Sequence, residues 1–126
     1  MKQFVATDQA PAAIGTYSQA VIYAGTLYIS GQIALVPDAM EVISSDIEEQ
    51  ITQVFSNLAA VCAAANVTLD DAIKFTVYLT DLNDFPLVNE TMQKLLQQPY
   101  PARAVVEVSA LPKGVKVEID AVVALA

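Results

Sequence analysis

The order of apolar and polar positions divides the chain into strand-like and helix-like segments. Residues 3–6 form a short first strand, and Ala20–Tyr23 and Thr26–Gln32 are apolar runs separated by Ala24-Gly25, the pattern of a tight hairpin. Residues 36–43 contain Pro37 and Asp38 and are expected to be a loop. From Ser45 the period changes to three and four. Ile47, Ile51, Val54, Phe55, Leu58, Val61, Cys62 and Ala65 make one helical stripe. Ser45-Asp46-Ile47-Glu48 fits a capping box with Ser45 at the N-cap, and Asn66 is the expected stop. Alternation returns over residues 72–80, where Phe75, Val77 and Leu79 share one face and Thr76, Tyr78 and Thr80 the other. Asp84 is placed to cap a second helix with Pro86 in its first turn, on a stripe of Phe85, Val88, Met92, Leu95 and Leu96.

Two further strands, residues 103–108 and 115–125, follow the Gln97–Pro101 stop. In the last of them Val115, Val117, Ile119, Ala121 and Val123 oppose Lys116, Glu118 and Asp120. The order β-β-β-α-β-α-β-β predicts an α+β fold: a six-stranded mixed sheet with two helices on one face, in a single domain spanning 1–126. Thr76, Tyr78, Val105, Val122 and Ala124 are expected on the other face. A face of that composition is only half polar, and burial against further copies of the chain is the simplest way to cover it.

Composition removes whole classes of chemistry. The chain has no histidine and one cysteine, Cys62. Histidine-dependent triads, an internal disulfide and a Cys-rich zinc site are therefore excluded, and no metal is expected. Six Lys+Arg against fourteen Asp+Glu give a net charge of −8, which argues against nucleic acid and against an anionic membrane surface. Mean hydropathy is +0.46, yet no apolar run reaches the ~18 residues of a membrane span. One unpaired cysteine and no signal-like N-terminus fit a reducing cytoplasm.

Few residues are left to carry chemistry. Arg103, the sole arginine, offers a planar fork matched to a carboxylate, or is a surface arginine paired with Glu107. Glu118 lies in a strand of mostly buried type. It is either an acid of raised proton affinity or a solvated neighbour of Lys116 and Asp120. Ser30 and Gly31 end the third strand, where a glycine permits close approach of a ligand or merely a bend. Tyr17 offers a hydroxyl from a loop, Asn89 reads as an exposed helix residue, and Cys62 reads as core.

Longer stretches resemble a known family. The segments APAAIG-T-YSQAV (10–21), ISGQI (29–33), FTVYLTDLNDF (75–85) and YPARAVVEVSALPKGVKVEIDAV (100–122) are similar to the RidA (YjgF/UK114) family of reactive-intermediate deaminases over almost the whole chain. The resemblance implies a chorismate-mutase-like fold and a homotrimer with sites between subunits. It implies hydrolysis of 2-imino acids and their enamines, among them 2-aminoacrylate released by pyridoxal-phosphate dehydratases, without cofactor. By the same resemblance Arg103 holds the substrate carboxylate and Glu118 positions or activates water. Tyr17, Ser30, Gly31 and Asn89 surround the pocket, and the Val105 N–H donates to the ligand. Thr16, Ala39-Met40 and Val105 depart from common family residues, with consequences expected for substrate range and rate. The alternatives are a non-catalytic module binding 2-oxo acids in the same cleft, a ribonuclease that the charge opposes, and a chaperone using apolar surface.

Overall fold

A computed structural model describes residues 1–125; Ala126, the end of the expected domain, lies outside them. Strands β1 (Gln3–Val5), β2 (Ala20–Tyr23) and β3 (Thr26–Gln32) precede helix α1 (Ile47–Ala64). Strand β4 (Ala72–Leu79), helix α2 (Phe85–Leu95), β5 (Ala102–Glu107) and β6 (Val117–Ala124) follow. One six-stranded sheet has the order β1-β2-β3-β6-β4-β5. Only β4 and β5 are parallel, and α2 is their crossover. The hairpin is as expected: Ala24 and Gly25 both have positive φ, 51° and 77°, as a two-residue turn of the twisted type requires.

The strand pairs define the two faces. Leu27 and Ile29 of β3, Phe75, Val77 and Leu79 of β4, and Val117, Ile119, Ala121 and Val123 of β6 are buried on the helix side. They meet Ile51, Val54, Phe55, Leu58, Val61 and Cys62 of α1. Phe55 and Phe75 pack edge to face at 5.8 Å, joining helix to sheet. The opposite face carries Tyr28, Tyr78, Val106 and Val122, with Tyr28 and Val106 exposed. Val105 is not among them. It pairs with Val77 in the parallel ladder, so it shares the helix side and packs against the core. The expected placement fails because the start of β5 cannot be phased to β4 across a helix from sequence alone.

The α1 start shifts by one residue, whereas α2 starts after Asp84 as expected but without a side-chain cap. Asp46, not Ser45, caps α1, accepting from the Glu49 N–H at 3.0 Å. Ser44 supports it by accepting from the Asp46 N–H and donating to the Glu49 carboxylate. Asp84 makes no capping bond. Asp81 caps a short 3-10 turn (Leu82–Asp84) that leads into α2. Leu95, assigned to the α2 stripe, is exposed, and Leu96 takes the buried place. Asn66 ends α1 as expected: it takes φ 62°, and the Asn66 and Val67 N–H groups return to the Ala63 and Cys62 carbonyls.

Buried amides fasten the loops to this frame. Gln19 accepts from the Thr7 N–H and donates to the Thr7 and Pro11 carbonyls, holding the N-terminal loop. Asn57, fully buried on α1, donates to the Ile33 and Leu35 carbonyls. Gln50 bridges the Ser44 carbonyl and the Lys116 N–H. Each amide satisfies backbone groups that have no strand partner. Asn57→Ala leaves the Leu35 carbonyl unpaired and the Ile33 carbonyl with only the Leu35 N–H, and is expected to cost about 1–3 kcal/mol, read as a lowered denaturant midpoint with an unchanged slope. A loss no larger than that of Gln53→Ala would contradict this role.

Candidate active site

Arg103 begins β5 on the helix side of the sheet, opposite Phe75 in register. Its Nη1 donates to Asn89 Oδ1 at 2.9 Å and faces the Met92 sulfur at 3.8 Å. Its guanidinium carbon lies 4.8 Å from the Phe85 ring centre. Phe85 and Asn89 are one turn apart on α2, so a single helix face supplies both the stacking platform and the acceptor. Glu107, the alternative partner, is occupied elsewhere: it accepts from the Leu82 N–H. Among the described residues no carboxylate hydrogen-bonds the arginine, so its remaining donors are open to a ligand. A cleft of about 270 Å³ lies beside it, lined by Asn89, Met92, Leu96, Tyr100 and Pro101.

Val105 adds a second donor next to Arg103. The Val108 N–H donates to the Leu79 carbonyl, so Val108 points toward β4. Alternation turns the Val105 N–H the other way, and β5 is an edge strand. The Val105 N–H therefore faces the free edge of the sheet, in a shallow cleft with Leu82, Phe85 and Arg103.

Glu118 lies elsewhere. It pairs with Tyr78 across β4 and β6, on the face away from the helices. A bulge in β3 between Ile29 and Gln32 places Ser30 and Gly31 beside it. A Cβ at Gly31 would run into the Glu118 carboxylate, so glycine is what admits the side chain there. Burial raises the Glu118 pKa, and the Asp120 charge raises it further. Glu118, Gly31, Tyr17, Met40 and Lys113 line one cleft of about 470 Å³.

The sequence candidates thus fall into two groups. Arg103, Asn89 and Val105 make one, and Glu118, Gly31 and Tyr17 the other, on opposite faces of the sheet. Ser30 joins neither. Its hydroxyl donates to the Ser18 carbonyl at 2.6 Å and its N–H to the Gln19 carbonyl, which ties the Tyr17 loop to β3. Cys62 is core, its thiol pushed up to about 11 chiefly by burial, with a smaller push from Asp71. Sequence reasoning missed three groups: Phe85, whose place under the arginine looks like ordinary stripe, Lys113, and the Tyr78 hydroxyl, which donates to Asp120 at 3.0 Å. The i, i+4 spacing of Phe85 and Asn89 was the one available signal for the first. Among the described residues no three His, Cys, Asp or Glu side chains cluster as metal ligands, and no helix is long and apolar enough to cross a membrane.

Known proteins resemble the chain in both sequence and fold. A family model described as Endoribonuclease L-PSP matches residues 7–125. The human 2-iminobutanoate/2-iminopropanoate deaminase is 41% identical over 122 residues, covering 97% of this chain and 89% of that protein. The crystal structure of RidA from an Antarctic Psychrobacter superposes with a TM-score of 0.94 at 50% identity, covering 98% of this chain and 99% of the other. That of Escherichia coli TdcF with bound serine superposes at 0.90 with 38% identity, covering 98% and 99%. Matched by that model over residues 7–125 and by these relatives over nearly its whole length, the chain belongs to the YjgF/RidA family.

Proposed function

We propose that this chain hydrolyses reactive 2-imino acids, and their enamine tautomers such as 2-aminoacrylate, to 2-oxo acids and ammonium. 2-Iminopropanoate and 2-iminobutanoate are the expected substrates. The observation that carries the reading is the Arg103 fork, held by Asn89 and Phe85 with donors left open beside the outward Val105 N–H. A carboxylate bound there has its α-carbon fixed in space. The relative with bound serine supports a ligand carrying its carboxylate and its nitrogen on the same carbon.

Arg103 and Glu118 face opposite sides of one sheet, so one protomer cannot bring both to one ligand. The site is proposed to form between copies, in a homotrimer whose β5 edge meets the Glu118 cleft of its neighbour. Head-to-tail contacts of this kind close into rings. Exposed Tyr28 and Val106 on the open face support an assembly that covers them.

The chemistry asks little of the protein, because an imine carbon is already electrophilic. As water adds to C2 of the protonated imine, Glu118 takes a proton from the water, the C=N pair moves to nitrogen, and Glu118 passes that proton on to the nitrogen. Collapse of the adduct breaks the C–N bond, the hydroxyl proton returns to Glu118, and ammonia leaves as ammonium. An enamine is first protonated at C3. Tyr17 borders the same cleft and would orient the water or the leaving nitrogen. No cofactor or metal enters these steps. The setting proposed is a reducing cytoplasm, downstream of pyridoxal-phosphate dehydratases, with neither nucleic acid nor membrane as partner.

With 2-aminoacrylate generated from serine by a dehydratase, the protein is expected to speed decay of the enamine signal. Arg103→Ala is expected to lose about 2–5 kcal/mol of transition-state binding, roughly 30-fold or more in rate. Equal acceleration by both would move the chemistry away from Arg103. Mixed oligomers test the shared site. Arg103→Ala and Glu118→Gln, each inactive, should recover about a quarter of the wild-type site activity when assembled together at random, since a ring site draws one residue from each neighbour. No recovery from properly mixed rings would refute a site between copies.

Stability should move opposite to activity at Glu118. A carboxyl whose pKa is raised by folding favours the fold when protonated, and that contribution is lost as pH rises through its folded pKa. Glu118→Gln should therefore melt above wild type at pH 7, with the gap closing as the pH is lowered through the Glu118 pKa toward the ordinary glutamate range. A variant that melts lower at pH 7 would contradict the burial argument.

A further inference from the structure

Glu118 has a neighbourhood that the reaction scheme does not use. Asp120 lies two residues on in β6, on the same face. Across the ladder Tyr78 pairs with Glu118 and Thr76 with Asp120, and the Tyr78 hydroxyl reaches diagonally to Asp120 Oδ2 at 3.0 Å. This phenol therefore ties the Asp120 carboxylate down beside Glu118 instead of leaving it free to swing into water.

We propose that Tyr78 and Asp120 are positioning residues for Glu118: the phenol fixes the Asp120 carboxylate, and the Asp120 charge keeps Glu118 basic enough to take a proton from water and return one. This rests on the reading of Glu118 as the proton carrier and adds what makes it fit for that task. An ordinary glutamate is too weak a base to hold a proton for long near neutral pH. Two like charges on one strand face oppose each other's ionisation, and Glu118 is packed against Gly31, where burial already favours its neutral form. The Tyr78 phenol is itself held protonated more firmly than usual, by its surroundings first and by its bond to Asp120 next, so it stays a donor over the working range.

The other groups around Glu118 do not duplicate this role. Lys116, two residues before it on β6, sends its Nζ to the Ser45 carbonyl at 2.7 Å. Lys113 and Tyr17 border the cleft from the two loops over it. Lys113 carries the opposite sign and would lower the proton affinity of Glu118 on approach, so among the described residues Asp120 is the one charge on this face that raises it.

The pH dependence of kcat/KM, with a carbon-13 carboxyl titration of Glu118 in the whole protein, tests the proposal. Asp120→Asn keeps the shape and an acceptor for Tyr78 but removes the charge. Its acidic limb is expected to move to lower pH, and the Glu118 titration should move with it. Tyr78→Phe, which keeps the ring, should shift both in the same direction by less. It carries the test alone if Asp120→Asn fails to fold. Profiles and titrations that superimpose on wild type would overturn the proposal. The underlying reading fails differently: a Glu118→Gln enzyme with the wild-type rate would show that Glu118 carries no proton, whatever Asp120 does to its titration.

Discussion

The alternation of side chains along a β-strand decides what this molecule can do alone. Phe75 and Tyr78 sit three residues apart on β4 and therefore face opposite sides. Arg103 stands beside the first and Glu118 beside the second. An arginine with open donors and a glutamate of raised proton affinity are thus built into one rigid sheet yet kept from each other by its thickness. No rotamer change can bring them together without breaking the ladder. Association is the remaining route to a complete site, and the half-apolar open face supplies a reason for it.

Around that constraint, precision comes from small devices. The bulge at Ser30-Gly31 interrupts the pairing of β3 with β6, which resumes at Gln32, and the glycine leaves room for the Glu118 carboxylate. Ser30 then fastens the Tyr17 loop through the Ser18 carbonyl. Gln19, Gln50 and Asn57 serve backbone groups in loops that would otherwise be unpaired next to the core. Among the described residues, no buried side-chain nitrogen or oxygen lacks a partner. Polar groups inside this domain serve mainly to hold loops in place, whereas those at its two clefts are left partly open.

The arginine is organised differently from the glutamate. Asn89 and Phe85 orient the Arg103 fork by one hydrogen bond and one stacking contact, at an exposed edge where water still competes. Glu118 is governed by burial and by charge, which act on protonation more than on direction. The first arrangement suits binding of an anion and the second suits moving a proton.

Local pattern was enough for much of this. The hairpin needed only Ala24-Gly25 between two apolar runs; α1 needed only its stripe and Asn66; the facing of β4 and β6 needed only alternation. All of these depend on neighbours within a few residues, which the sequence itself supplies. The capping bonds moved, to Asp46 for α1 and to Asp81 on the turn before α2, because several adjacent Ser and Asp side chains compete for nearby N–H groups and only backbone geometry chooses among them. Val105 was placed on the wrong face because nothing local relates the phase of β5 to that of β4 across a crossover helix. The role of Phe85 was hidden because an aromatic residue on an apolar stripe is ordinary core until an arginine lies over it. The sequence by itself determined the elements, the class of fold and the few side chains able to do chemistry. Which of those side chains meet was decided only in the tertiary structure, because strand register and sheet face join residues that local periodicity leaves unrelated.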